Sequence, residues 1–500
     1  LALLGCAAQV PPGTVFYASG ADLQSINPLV TIHPLAKQVQ RYVLFTTLAR
    51  YDSALRPVPY LAESWSWEDG GRSLVLELRR GVNWHDGVPT TARDVAFTLE
   101  AARDPETAYP RVGDLACLEE ARALSDFTAR LRYCRPQPAF PDVLVDLAIL
   151  PAHHLSGLPR ESLRVAAFNR QPVGNGPFRF VSHRPNRRWV FASNREFPEA
   201  MGGPPALDRL VVVVVDEATT KLAGLVTGEL HVAGILPMHA SVVSKTSGLD
   251  VLDYPALFTY GLVWNTTRPP FDDRRLRRAL TMALDREQIV AAHLYGYGEV
   301  AHGPVPPAHP LASGVSEIAF DPAGAASLLD SLGWRDGSAG VRRRDGERLA
   351  FDLLTVGSAD NVLEQLIQSN LAAVGVEVRI RQLELGAFLA VAHGQGRDYD
   401  ALVAGIPGDL ALGYLEALFH SRRLSGPLQM ARYRNAEVDG ALDDGDLARV
   451  QRLVAEDVPI TFLYHGRGVQ GISARLRGVT MDLRGELATL SRWHLARNPP

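Results

Sequence analysis

Histidine next to carboxylate is the first combination in this chain that could do chemistry. It falls in the stretch GVNWHDGVPTTARDVAFTLE, Gly81 to Glu100. His85 and Asp86 could form an acid–base pair or begin a metal site, but a metal needs three or four donors at suitable spacing, and the neighbouring sequence supplies none. A structural turn is expected there. His153 and His154, after Pro151, could also take a metal; the expectation is a solvated loop pair. Asp272–Asp273 and Asp443–Asp444 are paired carboxylates beside helix starts or loops, without an identifiable acid or base partner. The chain has no GxSxG elbow, HExxH, P-loop or CxxC. Gly296-Tyr297-Gly298-Glu299-Val300-Ala301 has the spacing of a dinucleotide fingerprint, yet it follows a helical pattern and leads into HGPVPP, the reverse of the required context. These residues point away from an enzyme, and neither a cofactor nor a bound metal is expected.

The chain that must position such groups has 500 residues, 46% hydrophobic and 21% charged, which suits two or three globular cores. A formal charge of -4 offers no basic field for nucleic acid, and no Lys/Arg run forms a polybasic membrane patch. Three of the 51 basic residues are lysines (Lys37, Lys221 and Lys245), a bias that carries no mechanism. No apolar run reaches the roughly 20 residues that cross a bilayer. The opening LALLGCAAQ resembles the end of a bacterial lipoprotein signal: residues 1–6 read as its remnant, with Cys6 as the lipidated lipobox cysteine. Cys117 and Cys134 lie on two expected strands, Leu115 to Glu120 and Phe127 to Cys134, around a turn at Leu124-Ser125-Asp126. Such a hairpin can bring the sulfurs together, so a disulfide is expected, as suits a compartment outside the cytoplasm. Two separate buried thiols are the alternative.

Trp65 and Trp67 alternate before an Asp69-Gly70-Gly71 turn, and Leu74, Leu76 and Leu78 then share one face, which predicts a hairpin with one buried side. Thr91 followed by Asp94 is a capping box for a helix carrying Val95, Phe97 and Leu99. Leu210 to Val215 is an apolar strand followed by a helix ending near Gly228, an α/β pattern. A strand from Tyr260 to Asn265 and two helices follow, the second opening at Asp285. Asp321-Pro322 starts a helix closed by Gly333. After it, LAFDLLTV, a helix closed at Gly375 and VEVRIRQL make a parallel βαβ unit.

Taken in order, INPLV (Ile26 to Val30), PYLAESW (Pro59 to Trp65), LRRGVNWHDGVPTTARDVAFTLE from Leu78, VGNGPFRF from Val173, TTKLAGLVTGEL from Thr219, WNTTRPPFDDRRLRRALTMALDRE from Trp264 and LFHS at Leu418 resemble one family. It is the extracytoplasmic solute-binding proteins of ABC importers, oligopeptide- and dipeptide-binding type (family 5). The resemblance implies an α/β, two-lobed periplasmic-binding-protein fold of type II, the large peptide-binding kind with an extra subdomain and a ligand cleft between the lobes. Lobe I would hold 7–49, 172–257 and 472–500, the extra subdomain 50–171, and lobe II 258–471. The Trp84-His85-Asp86-Gly87 turn would be the family's structural signature, docking a helix. The implied function is a lipid-anchored extracytoplasmic receptor, a monomer, that delivers a short peptide to ABC permease subunits. It would meet the membrane only through its anchor and bind no nucleic acid.

The resemblance also implies site residues. Asp409 stands where the family has an aspartate that pairs with the ligand's α-amino group, a charge-assisted bond strengthened by desolvation. Ile406 stands where a ligand-stacking Trp is usual, and Leu412-Gly413 where an acidic Asp-Pro is usual. Asn175, Trp264, Asn265 and Thr266 are expected to line the cleft. The same scaffold could hold a metal chelate, haem, sugar or opine. A secreted hydrolase would need a nucleophile and base that the sequence does not display. A DNA-binding regulator would need a basic helix-turn-helix where the lipobox-like segment stands.

Overall fold

The computed structural model describes residues 11–31, 33–337, 340–357, 361–394 and 398–496. The chain divides into two compact units, Leu1–Leu252 with Val469–Pro500, and Asp253–Gly468. It passes from one to the other inside two long strands, Leu249–Trp264 and Ile460–Ser473. The expected crossings, at 257/258 and 471/472, lie within the same strands. The first of them begins at Leu249 rather than Tyr260: its first half is mostly half-exposed and lacks the apolar run that marks the second half.

In the first unit Thr14–Ser19 is a central strand, parallel to Arg209–Val214 on one side and to Val232–Gly234 on the other. Leu210 to Val212 are buried, as a strand covered on both faces requires. Helix Ala218–Val226 makes the crossover between the two outer strands, capped by the Glu217 carboxylate and closed at Gly228, whose φ is +77°. A separate four-stranded antiparallel sheet runs in the order Ala62–Glu68, Ser73–Leu78, Thr128–Tyr133, Leu118–Ala123. Leu74, Leu76 and Leu78 are buried there, as their alternation predicts. Cys117 and Cys134 are joined in a disulfide at the end of this hairpin, with Cα atoms 5.1 Å apart.

Helix Ala92–Arg103 begins with the expected capping box between Thr91 and Asp94. The buried Asp94 carboxylate does more than cap: it accepts from Thr91 N at 2.8 Å, Ala152 N at 2.8 Å and the Trp84 indole at 3.3 Å. One charge thereby fixes a helix start, a distant helical turn and the turn that carries His85 and Asp86.

The second unit is built on strands in the order Glu377–Leu383, Ala350–Val356, Ala401–Pro407, Leu249–Trp264, Ile460–Ser473. The first three are parallel, with helix Val362–Ala372 closing the expected βαβ unit at Gly375. Alternate residues feed two cores, one on each face. Leu262, Trp264, Ala401 and Val403 pack with Phe271 and Phe351, while Val263, Leu402, Ala404 and Ile406 pack with Leu415 and Phe419. Asp273, Asp285 and Asp321 cap the helices that cover the sheet, each accepting a backbone amide of the first turn.

Candidate ligand-binding site

Strand Ala401–Pro407 ends in a loop that carries Asp409. Loops at the carboxyl ends of parallel strands are where α/β folds place ligands. The half-buried Asp409 carboxylate turns back on its own loop: Oδ1 accepts from Ala411 N at 3.0 Å and Gly413 N at 3.1 Å, and Oδ2 from Tyr414 N at 3.0 Å. The loop is tied down further by the Tyr414 hydroxyl on Pro304 O at 2.8 Å and by His309 Nε2 against Leu410 O at 3.1 Å. Burial, with the Asp409 charge beside it, pushes the Tyr414 hydroxyl well above the usual tyrosine range, so it stays a protonated donor. A carboxylate has about four lone-pair sites, so one of Asp409's remains for a further donor.

Ile406 does not occupy an empty stacking position. It is 2% exposed and belongs to the core on one face of the sheet. Phe258 and Tyr260 share the opposite face with Gly405 and Pro407, their rings 5.3 Å apart and partly exposed. A Cβ at position 405 would lie 2.4 Å from the Phe258 ring, so glycine is what lets that ring lie against the strand. Gly408, next to Asp409, donates its amide to Leu257 O at 2.8 Å, which sets the acid's loop beside this aromatic pair. Sequence reading missed Phe258 and Tyr260 because alternating aromatics in LFTYGLVW are equally the signature of a buried strand face.

The four other expected lining residues are engaged with the protein around them. Asn175 is 1% exposed, and its amide is spent: Oδ1 accepts from Thr46 N at 2.9 Å and Nδ2 donates to Thr90 Oγ1 at 3.2 Å. Its flanking glycines press on Leu44, where a Cβ on Gly174 would stand 2.0 Å from the carbonyl oxygen. Trp264 is fully buried, stacked on Phe271 at 5.2 Å, with its indole donating to Thr461 Oγ1 at 2.9 Å. Asn265 is buried as well, donating to Tyr399 O at 3.0 Å and accepting from the Thr267 hydroxyl at 2.8 Å. Thr266 is half-buried and clamps Ala431 O through both its amide and its hydroxyl, each at 3.0 Å. These side chains hold the frame. Asp409 keeps one acceptor site on its carboxylate, and Asn175 lies in the other unit from it. Cys6 lies outside the described residues.

His85 and Asp86 do sit in a turn, with Gly87 N bonded to Trp84 O at 2.8 Å and Gly87 at φ +93°. The His85 ring meets Gly176 O at 3.0 Å, and burial, with the Arg179 charge adding to it, lowers its pKa to about 4. The turn therefore docks the Gly174–Gly176 loop, and the Trp84 indole bond to Asp94 joins it to the start of helix Ala92–Arg103, where the resemblance implies a docked helix. His153 and His154 depart from expectation: they lie on a helical turn, Ala152–Leu155, and both reach Asp86.

Two α/β units that the chain enters and leaves through two strands are the architecture of a solute-binding protein. The chain belongs to the family described as bacterial extracellular solute-binding proteins, family 5 (its middle region), which matches residues 56–425. The oligopeptide-binding protein AppA of Bacillus subtilis is 28% identical over 476 residues, covering 91% of this chain and 87% of AppA. Protein XP55 of Streptomyces lividans is 30% identical over 465 residues, covering 90% and 83%. The AppA structure in complex with a nonapeptide aligns with a TM-score of 0.76 at 27% identity, over 97% of this chain and 99% of that one. NikZ of Campylobacter jejuni, solved with Ni(L-His), shares the fold with a TM-score of 0.79 at 24% identity, over 97% and 100%. Among the described residues no helix is long and apolar enough to cross a membrane.

Proposed function

We propose that this chain is a lipid-anchored receptor that captures short peptides outside the cytoplasm and delivers them to an ABC-type permease. The observation that carries the reading is the match, over nearly the whole of both chains, to an oligopeptide-binding protein whose structure holds a nonapeptide. Cys6 is the proposed anchor; an unmodified Cys6 in the intact mass of membrane-extracted protein would remove that part. Asp409 is the proposed partner of the peptide's ammonium, through the lone pair its loop leaves unused. Phe258 and Tyr260 supply the aromatic surface that Ile406 does not.

Calorimetry with a panel of synthetic tripeptides to nonapeptides, each free and N-acetylated, tests the anchor. Asp409→Asn keeps an oxygen for the loop amides and removes the charge. It should weaken free-amine peptides by about 2–5 kcal/mol, the cost of losing one partner of a desolvated charge pair, and leave the acetylated ones unchanged. Phe258→Ala should weaken both forms. Equal loss for free and acetylated peptides in the asparagine variant, or no loss at all, would take Asp409 out of the site.

A further inference from the structure

Two imidazoles from one helical turn and a carboxylate from a turn 67 and 68 residues away converge on the surface of the first unit. His153 Nε2 lies 2.9 Å and His154 Nε2 2.8 Å from the same oxygen, Asp86 Oδ2, and the rings are 4.3 Å apart. One donor atom from each residue lies within 4.8 Å of the others. The proposed peptide site uses none of the three.

We infer that Asp86, His153 and His154 form a binding site for a divalent first-row transition ion such as Zn2+. Imidazole with carboxylate is the donor set that suits these ions. Three protein ligands with a fourth position left to water is a common open zinc geometry, with bonds of about 2.0–2.2 Å. Donors around a tetrahedral ion of that size stand about 3.3 Å apart. Each imidazole would withdraw from Asp86 by a few tenths of an ångström, and the two imidazole nitrogens, within 4.8 Å of each other, would close to that spacing. Each would carry its proton on Nδ1 and turn the Nε2 lone pair to the ion, so two N–H···O bonds are exchanged for three metal bonds.

What distinguishes this cluster from a chance surface grouping is its support. Asp94 accepts Ala152 N, one residue before His153, and the Trp84 indole, two residues before Asp86, so a single buried carboxylate sets both halves of the cluster. Trp84 is buried and its ring stands 6.1 Å from that of His153. Asp86 Oδ1 is held by Val88 N at 3.2 Å, which leaves Oδ2 facing the imidazoles. The Asp86 carboxylate and the backbone that carries the two histidines are thus held in place before an ion arrives.

The test is calorimetric titration of the full chain, free of any histidine tag and stripped with EDTA, with ZnCl2 alone. One equivalent should bind to the native protein, and Asp86→Asn and His154→Ala should each weaken it at least tenfold while circular dichroism shows the fold unchanged. Zn2+ should also raise the thermal midpoint of the native protein and not that of a His153→Gln, His154→Gln double variant. Absence of one-to-one binding overturns the inference. So does affinity retained within threefold in both single variants, which would put the ion elsewhere. Neither outcome bears on the peptide titrations, because the site rests on no part of that reading.

Discussion

Asp146→Ala should lower the unfolding free energy by about 3–5 kcal/mol, the loss expected when one partner is deleted from a buried ionic cluster. Asp146 ends helix Val143–Asp146 and faces three cations, Lys37, Arg41 and Arg111, with Arg41 Nη1 2.5 Å from Oδ1. Burial works to raise its pKa, yet the Arg41, Lys37 and Arg111 charges prevail and hold it at about 2. Asp146 is the carboxylate the three cations share, although Arg111 also reaches Asp114 at 2.6 Å; burial and the two guanidiniums push Lys37 down to about 8 despite its bond to Asp146. Removing Asp146 leaves Lys37 and Arg41 beside Arg111 without the carboxylate they share, whereas Lys37→Met leaves a carboxylate still satisfied by two arginines. Guanidinium unfolding followed by tryptophan fluorescence should therefore show a large fall in midpoint for the aspartate variant and a small one for the lysine variant. The effect reaches the signature turn. Asp146 pins the segment that ends at Leu44, whose carbonyl receives Gly176 N at 2.9 Å in the loop docked by His85. A loss below about 1 kcal/mol would class the cluster with exposed ion pairs and contradict this assignment.

Acid should destabilise the second unit in part through His465, whose pKa is lowered as far as that of His85 in the first unit. His465 is buried, bonded at 2.9 Å to the Thr259 hydroxyl, and burial, with a smaller contribution from His302, lowers its pKa from 6.5 to about 4. Between these two values the unfolded chain binds a proton that the folded chain refuses. Stability from this group is therefore complete above about pH 6.5 and is lost progressively as pH falls toward 4. The shift corresponds to roughly 3 kcal/mol over the window. Asp146 and Asp86, both near 2 in the fold, keep their charges there throughout the window and add slope only at its acid end, where the unfolded carboxylates begin to take up protons. The difference in unfolding free energy between pH 7 and pH 4.5 should be smaller in His465→Gln than in the native protein by about 2 kcal/mol, the part that remains in both being carried by other lowered histidines such as His85. Parallel pH profiles for the two would show that His465 titrates freely in the fold.

The elements legible in the sequence are those specified by neighbouring residues. The Thr91–Asp94 box, the Asp285 and Asp321 caps, the Leu74-Leu76-Leu78 alternation and the βαβ unit closed at Gly375 depend on spacings of two to four residues, and each appears where the sequence puts it. The site was less legible because its residues serve packing and binding with the same chemistry. Asn175, Trp264 and Asn265 occupy family positions that suggest a cleft, yet each spends its polar atoms on the frame, a fact set by partners such as Thr46, Thr461 and Tyr399 far along the chain. The Asp86–His153–His154 cluster shows the same limit from the other side. A donor search along the sequence around Asp86 finds nothing, since the missing ligands arrive only when Asp94 draws Ala152 alongside Trp84.

The peptide-receptor assignment is tested most directly by native mass spectrometry of the protein purified from cells without unfolding, followed by denaturing extraction of whatever it holds. A heterogeneous set of short peptides, released on denaturation and displaced by the synthetic panel, is the predicted result. A single non-peptide species bound in their place, such as a metal chelate or a sugar, would contradict it.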